Sequence, residues 1–252
     1  MTSFSNIEWT EATWNPVTGC TKVSAGCKYC YAETLSRRLH AMGVAGYEQG
    51  FAVSCHENRL QQPLRRKQST MYFVNSMSDL FHPHVPFEFI DKVMDIIKQT
   101  SQHTYQILTK RPKIMAKYFA HREVPANAWI GVSVENRKHG LPRIDVLREI
   151  DAAVRFLSVE PLLEDLGQMN LAGIHWVIVG GESGTRARPM KPEWVANVKR
   201  QCRAAKAAFF FKQWGTYDKD GVRRGKKSSG RLYHKRTWDE MPKPIPIVST
   251  AS

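Results

Sequence analysis

The sequence is short of several things, and each shortage narrows what the chain can be. No apolar run approaches the roughly 20 residues that a membrane-spanning helix needs. The N-terminal stretch Met1-Thr2-Ser3-Phe4-Ser5-Asn6-Ile7-Glu8-Trp9 lacks the basic start and apolar core of a secretory signal. A cytoplasmic setting with no membrane partner is the expectation. Cysteine is scarce and odd in number, five residues, which favours thiols as ligands over a disulfide framework. Acid is also in deficit: 23 Asp and Glu face 37 Lys and Arg, a net charge of +14. A balance this basic points to a polyanion such as DNA or RNA as partner, the other reading being a cationic surface that serves solubility. No internal repeat is present beyond a rhythm of strands and helices.

That rhythm is the main thing the sequence does have. A chain of 252 residues, 42% hydrophobic, can bury a large core. Apolar runs at 71–74, 105–108, 129–134, 154–159, 175–179 and 208–211 read as strands. Amphipathic stretches at 89–97, 112–119, 142–150 and about 192–206 read as helices. A short strand within residues 5–19, another at Phe51-Ala52-Val53 and an irregular helix between Leu162 and Leu171 complete the pattern. Tyr31, Leu35, Leu39 and Met42 fall at helical spacing, with Gly43 as a stop. Alternating strands and helices make an α/β fold with a parallel sheet, here a complete or partial (β/α) barrel. Residues 1–214 carry it. Residues 215–252 form a basic extension with Gly and Ser, read either as a nucleic-acid-contacting arm or as a solvated loop.

Each strand runs into polar residues: Asn75-Ser76-Met77-Ser78-Asp79, Thr109-Lys110-Arg111, Glu135-Asn136, Glu160-Pro161, Gly180-Gly181-Glu182-Ser183 and Lys212-Gln213. A barrel with its site at the C-terminal rim requires this pattern.

Cys20, Cys27 and Cys30 crowd into eleven positions, which suggests a shared metal. Structural zinc takes four ligands, usually in two close pairs. One pair, Cys27-x-x-Cys30, is present, and Cys55 or His56 could complete a zinc site. A [4Fe–4S] cluster on three thiolates instead leaves one iron open for a non-protein ligand. Both readings stand on the cysteines alone.

Cys27-Lys28-Tyr29-Cys30 resembles the end of the radical S-adenosylmethionine signature, with Tyr29 in the aromatic place. The front departs from it, with six residues between Cys20 and Cys27 in place of three. More closely, the chain resembles a family of phage and bacterial proteins labelled as being of unknown function and grouped with radical enzymes. The strings that carry this begin with Ile7-Glu8-Trp9-Thr10, Trp14-Asn15-Pro16-Val17-Thr18-Gly19-Cys20 and Asn75-Ser76-Met77-Ser78-Asp79-Leu80-Phe81. They continue in Leu108-Thr109-Lys110-Arg111-Pro112, Gly131-Val132-Ser133-Val134-Glu135 and Gly180-Gly181-Glu182-Ser183-Gly184.

The resemblance implies a [4Fe–4S] cluster on Cys20, Cys27 and Cys30 at the barrel rim, S-adenosylmethionine as cofactor, and an electron-donor protein. It places Asn75, Ser76 and Asp79 where related enzymes bind the methionine amino group, helix capping being the alternative for Ser78 and Asp79. Gly180-Gly181-Glu182 looks like the superfamily's Gly-Gly-Glu motif, though after a late strand. Lys110, Arg111, Ser133, Glu135 and Glu160 are further rim candidates, with surface ion pairs as their alternative. Cys55 is a candidate hydrogen-atom donor or fourth ligand, the alternative being neither role. Cys202 reads as core packing, and His82 and His84 as loop histidines. Spore photoproduct lyase is a distant analogue, which makes DNA repair or base modification the expected activity. The alternatives are a non-catalytic zinc or iron–sulfur nucleic-acid-binding protein, or a radical enzyme with a small-molecule or protein substrate.

Overall fold

The computed structural model describes residue 5 and residues 7–243; the last nine residues of the basic extension lie outside them. Short runs of β-branched and aromatic residues pair in parallel because a crossover returns the chain to the edge where each strand began. A helix makes that crossover after 71–74, 104–109, 128–133 and 176–180, and an irregular segment makes it after 154–159. In chain order the elements are β1 (Ala12–Trp14), β2 (Val17–Thr18), α1 (Tyr31–Ala41), β3 (Ser54–Cys55), α2 (Glu57–Leu60), β4 (Met71–Val74) and α3 (Phe87–Gln99). Then come β5 (Thr104–Thr109), α4 (Pro112–Phe119), β6 (Ala128–Ser133), α5 (Arg137–Arg148), β7 (Val154–Val159) and β8 (Trp176–Gly180). The chain closes with α6 (Pro192–Ala205), β9 (Ala208–Gln213), α7 (Lys226–Ser229) and β10 (Trp238–Asp239). One sheet runs in the order β1-β4-β5-β6-β7-β8-β9-β10. It is parallel except for β10, which pairs antiparallel with β9. The sheet curls into a half-barrel, the partial form of the expected architecture.

The two faces of this sheet do different work. Tyr72, Val74, Ile107, Ile130, Val132, Leu157, Val177 and Phe209 belong to the large core shared with Ile90, Val93 and Ile97 of α3, Met115 of α4, Leu147 of α5 and Val195 of α6. The opposite, concave face holds Trp9, Phe73, Trp129, Val154, Phe156, Trp176, Ile178 and Phe210. Trp176 meets Trp9, Trp129 and Phe210 edge-on with centroids 6.2, 6.0 and 5.9 Å away. Further along the strands, the same alternation puts Gly131, Ser133, Ser158 and Gly180 on this face. Gly131 stands beside Phe156 in the register, and a Cβ there would lie 2.5 Å from the phenyl ring. The concave face is therefore an aromatic plug at the N-terminal end and a polar pocket floor at the C-terminal end.

Several expectations are corrected. The strand at Phe51-Ala52-Val53 is displaced to Ser54–Cys55, where it pairs with Val17–Thr18. No helix forms between Leu162 and Leu171; that segment is tied down by Leu162 N–H to Gly180 and Leu163 N–H to Glu135 carbonyls. The helix expected at 142–150 begins at Arg137, because the Asn136 side chain accepts the His139 N–H at 2.9 Å and starts it early. Pro142 is carried inside it. In α1 only Leu39 of the expected apolar stripe packs inward, against Ala32, Tyr47 and Met77; Tyr31 is 59% and Met42 64% exposed, and Ala32 and Ser36 are buried in their place. The described part of the tail packs on the sheet edge, with β10 on β9 and Tyr233 against Phe211 and Trp214.

Candidate active site

Four carboxylates stand just beyond the C-terminal ends of β4, β6, β7 and β8, and each is held by one basic side chain. Asp79 meets Arg111 at 3.3 Å, Glu135 meets Arg143 at 2.6 Å, Glu160 meets Lys212 at 2.9 Å and Glu182 meets Arg188 at 2.6 Å. Asp79 and Glu135 are buried with their arginines. A carboxylate in such a place has to be paired, since an isolated buried charge would cost several kcal/mol or more.

Pairing leaves these groups unequally available. Asp79 is fully engaged. Its Oδ1 accepts from Thr109 Oγ1 (2.7 Å) and Phe81 N (3.1 Å), and its Oδ2 from Lys110 N (3.0 Å) and Arg111 Nη1. It clamps the β4 rim to the β5 rim, and caps no α-helix, since α3 begins after Pro86. Glu182 is likewise committed, taking Arg188 Nε, Nη2 and backbone N at 2.8, 2.6 and 2.9 Å. Glu135 differs: Oε2 takes Arg143, while Oε1 is buried with no hydrogen-bond partner. Burial alone would push this carboxyl up, but Arg143, Lys110 and the nearby Ser24 hydroxyl together hold it below the usual carboxylate range. The Lys110 ammonium donates to Ser133 Oγ at 3.0 Å. Asn75, in the left-handed region at φ 58°, spends its Oδ1 on Val17 N–H and leaves a buried Nδ2 unpaired. Ser76 donates to Asn15, and its carbonyl accepts the Tyr31 hydroxyl. Tyr31 thus exposes its ring while its hydroxyl turns inward.

Gly180 and Gly181 are required by close approach. A Cβ on Gly180 would come within 2.6 Å of Glu160 Oε1, and one on Gly181 within 1.9 Å of the Trp214 carbonyl. The motif makes room for the Glu160–Lys212 pair and the β9 exit.

The cysteine loop lies across this rim. Gly19 N–H donates to the Met77 carbonyl and Ser78 Oγ to the Gly19 carbonyl (2.6 Å), so the loop enters beside the β4 end. Cys20 receives Arg111 Nη1 at 3.5 Å. Gly26 sits over Glu135, where an added Cβ would be 3.1 Å from Cγ. The Ala25 carbonyl accepts Arg188 Nη2 at 3.0 Å, and that guanidinium lies 5.3 Å from the Tyr29 ring centroid. Cys30 then stands at the N-cap position of α1, its thiol making no capping bond and so left free. All three cysteines are free and half-buried. Burial and the Asp79 carboxylate push the Cys20 thiol up while Arg111 pulls it down, and Cys27 is near enough to add to the upward push. Among the described residues, no three His, Cys, Asp or Glu side chains are drawn together closely enough to hold an ion. The donor set nonetheless suits a group bound by three thiolates: one loop, three free thiols, an N–H donor on one sulfur. Cys55 is exposed on β3, and His56 Nε2 is 2.7 Å from Thr18 Oγ1. Cys202 is buried, as expected. His82 is buried too, 2.8 Å from Thr21 Oγ1.

Arg143 and Arg188 were not singled out by sequence reasoning. Their signal was present: a carboxylate that ends a wholly apolar strand needs a cation, and these arginines follow Glu135 and Glu182 within eight residues.

A parallel half-barrel with a three-cysteine loop roofing its C-terminal rim is the class of structure described so far. The chain belongs to the DUF5131 family, described as a protein of unknown function, whose model matches residues 4–242. No curated protein matches it. Among solved structures it is similar to spore photoproduct lyase complexed with dinucleoside spore photoproduct. The TM-score is 0.50 and the identity 13%, over 80% of this chain and 63% of that one. A spore photoproduct lyase mutant with bound AdoMet and the dinucleoside gives 0.49 and 14%, over 71% and 58%. The chain thus spans about three-fifths of the lyases it matches, and the likeness is one of fold.

Proposed function

We propose that this protein is an iron–sulfur, S-adenosylmethionine-dependent radical enzyme that acts on nucleic acid, in DNA repair or base modification. The observation that carries the reading is the seating of Cys20, Cys27 and Cys30 over the rim of a parallel half-barrel, where enzymes of this architecture keep their chemistry. These three residues would hold a [4Fe–4S] cluster, leaving one iron without a protein ligand. When bound, the cluster supplies the electron that splits S-adenosylmethionine to a 5′-deoxyadenosyl radical.

The chain's own residues supply binding and enclosure. Glu135 Oε1, buried and unpaired, suits an ammonium donor, and the neighbouring Lys110 suits a carboxylate. Side by side beneath the loop, they match the zwitterionic amino-acid end of S-adenosylmethionine. Asp79 and Glu182 act differently in this reading, fixing the walls instead of touching the cofactor. The plug of Trp129, Phe156 and Trp176 keeps water from entering from below. The nucleic-acid part rests on the charge of +14, on exposed Lys22, Lys28, Arg38 and Arg186 near the loop and rim, and on the dinucleoside held by the lyase of like fold. Fold likeness alone names no substrate. An electron-donor protein is a required partner of this reading.

Anaerobic reconstitution with iron and sulfide should give a brown protein that, once reduced, forms 5′-deoxyadenosine. Binding to DNA or RNA should weaken steeply as salt rises. A colourless protein with tightly held zinc would overturn the reading. Loss of that zinc in Cys55→Ala or His56→Ala would establish the zinc alternative.

A further inference from the structure

The segment between Cys20 and Cys27, Thr21-Lys22-Val23-Ser24-Ala25-Gly26, has little backbone structure of its own. One 3₁₀ turn, Ala25–Cys27, is closed by the Cys27 N–H on the Ser24 carbonyl and the Lys28 N–H on the Ala25 carbonyl. Lys22 and Val23 are exposed. A six-residue loop with so few internal bonds has many conformations to lose, and something else has to select one.

Two arginines, one from the segment after β5 and one from the segment after β8, take hold of it at its two ends. Near the start, Arg111 Nη2 donates to both the carbonyl and the Oγ1 of Thr21, each at 2.9 Å, while Nη1 reaches Cys20 Sγ at 3.5 Å. Near the end, Arg188 Nη2 donates to the Ala25 carbonyl at 3.0 Å. Both forks are themselves immobilised from behind, Arg111 by Asp79 and Arg188 by the two oxygens of Glu182. Asp79 is in turn fixed by Thr109 and the Lys110 N–H. The chain of contacts runs unbroken from the ends of β5 and β8, through two carboxylates and two guanidinium groups, to the loop. A planar guanidinium is suited to this, because it can bind a carboxylate on one edge and present further N–H groups in fixed directions on the other.

Resting on the reading of the three cysteines as cluster ligands, we propose that Arg111 and Arg188 are positioning residues that select the conformation of the Cys20–Cys27 loop, and that Arg111 also sets the reduction potential of the bound cluster through its N–H···S contact to Cys20. Arg188 touches no cysteine, so it governs loop order alone. Arg111 governs both. Hydrogen bonds to cluster sulfurs favour the more negative, reduced form and raise the potential, so losing this one lowers it.

Two readouts separate the parts. In the metal-free protein, amide hydrogen exchange is followed for peptides covering residues 18–28 and for peptides of the β6–β8 sheet. Arg188→Lys and Arg111→Lys should each speed exchange in the loop at least tenfold and leave the sheet unchanged; each keeps a cation for its buried carboxylate, Glu182 or Asp79, but loses the fork. Arg111→Gln, which strands the buried Asp79, is the harsher variant and is not needed for the test. In the reconstituted protein, an EPR-monitored redox titration should show a more negative midpoint potential in Arg111→Lys and an unchanged one in Arg188→Lys, which keeps the local charge. Unaltered loop exchange in both variants overturns the positioning role, and an unaltered midpoint in Arg111→Lys overturns the potential-setting role. A wild-type protein that takes up zinc and no iron–sulfur cluster overturns the underlying reading and the potential-setting role with it. The exchange measurement then still judges the positioning role by itself.

Discussion

The two ends of the concave face are built by one rule and hold opposite things. Alternate residues of the same strands point inward throughout. At the N-terminal end they are Phe73, Trp129, Phe156, Trp176 and Phe210, packed edge-on or tilted with no charge among them. At the C-terminal end they are Gly131, Ser133, Ser158 and Gly180, followed by Lys110, Glu135, Glu160 and Lys212. The lower end gains stability from buried aromatic area. The upper end keeps charges out of water that hydrophobic residues of like volume would replace at no loss, and often at a gain. A fold does not need its rim built this way. The difference assigns stability to one end and chemistry to the other.

The comparison can be broken most sharply at its extremes. Trp176→Ala should cost about 3–5 kcal/mol of unfolding free energy, as large aromatic truncations in a core do, and should reduce activity only in proportion to folded protein. Denaturant titration against specific activity decides this. Arg143→Leu should cost a similar ~3–5 kcal/mol, because it strands Glu135. The double replacement Glu135→Leu/Arg143→Leu should recover most of that stability while still failing to bind S-adenosylmethionine. If the double variant stays as unstable as the single one, the rim is a structural element and the comparison fails.

A smaller effect tests the glycine pair. Gly181→Ala should destabilise by about 1–3 kcal/mol, since the new methyl group meets the Trp214 carbonyl and the β9 exit must shift. Next comes pH. Burial and the nearby Arg111 and His84 push His82 from the usual 6.5 down to about 4. The unfolded chain takes up this proton near pH 6.5, whereas the folded chain refuses it until about 4. The contribution of His82 to stability is therefore complete above 6.5, falls as pH drops from 6.5 to 4, and changes no further below that. His82→Gln should remove that part of the slope. Smallest of all, Arg37→Ala breaks an exposed pair with Glu33 and should change stability by less than ~0.5 kcal/mol.

Most of the sheet was legible in the sequence because its strands are buried on both faces and read as unbroken apolar runs, as at 154–159. The polar residue directly after each run also marked the rim. What escaped was set by distant contacts. β1 is expected only as a short strand somewhere within residues 5–19; its bounds, Ala12–Trp14, are set by pairing with Tyr72–Val74. β10 depends on the β9 edge, and its Trp238 is clasped by Lys199 and Arg236. The stripe on α1 has the spacing of a buried face, yet of it only Leu39 packs inward, beside Ala32 and Ser36, with Ser36 donating to the Gly50 carbonyl. Within the site, position was legible and engagement was not. Asp79 and Glu135 look alike in sequence, but only the structure shows that one has every oxygen occupied and the other has one to spare.

The central claim, that the cysteine loop serves radical chemistry at this rim, is tested most directly by one assay. The anaerobically reconstituted protein is reduced in the presence of S-adenosylmethionine, with Cys27→Ala as control, and 5′-deoxyadenosine is measured. The account predicts deoxyadenosine from the wild type and none from the variant. Iron–sulfur loading in the wild type with no deoxyadenosine, or equal amounts from both proteins, would contradict it.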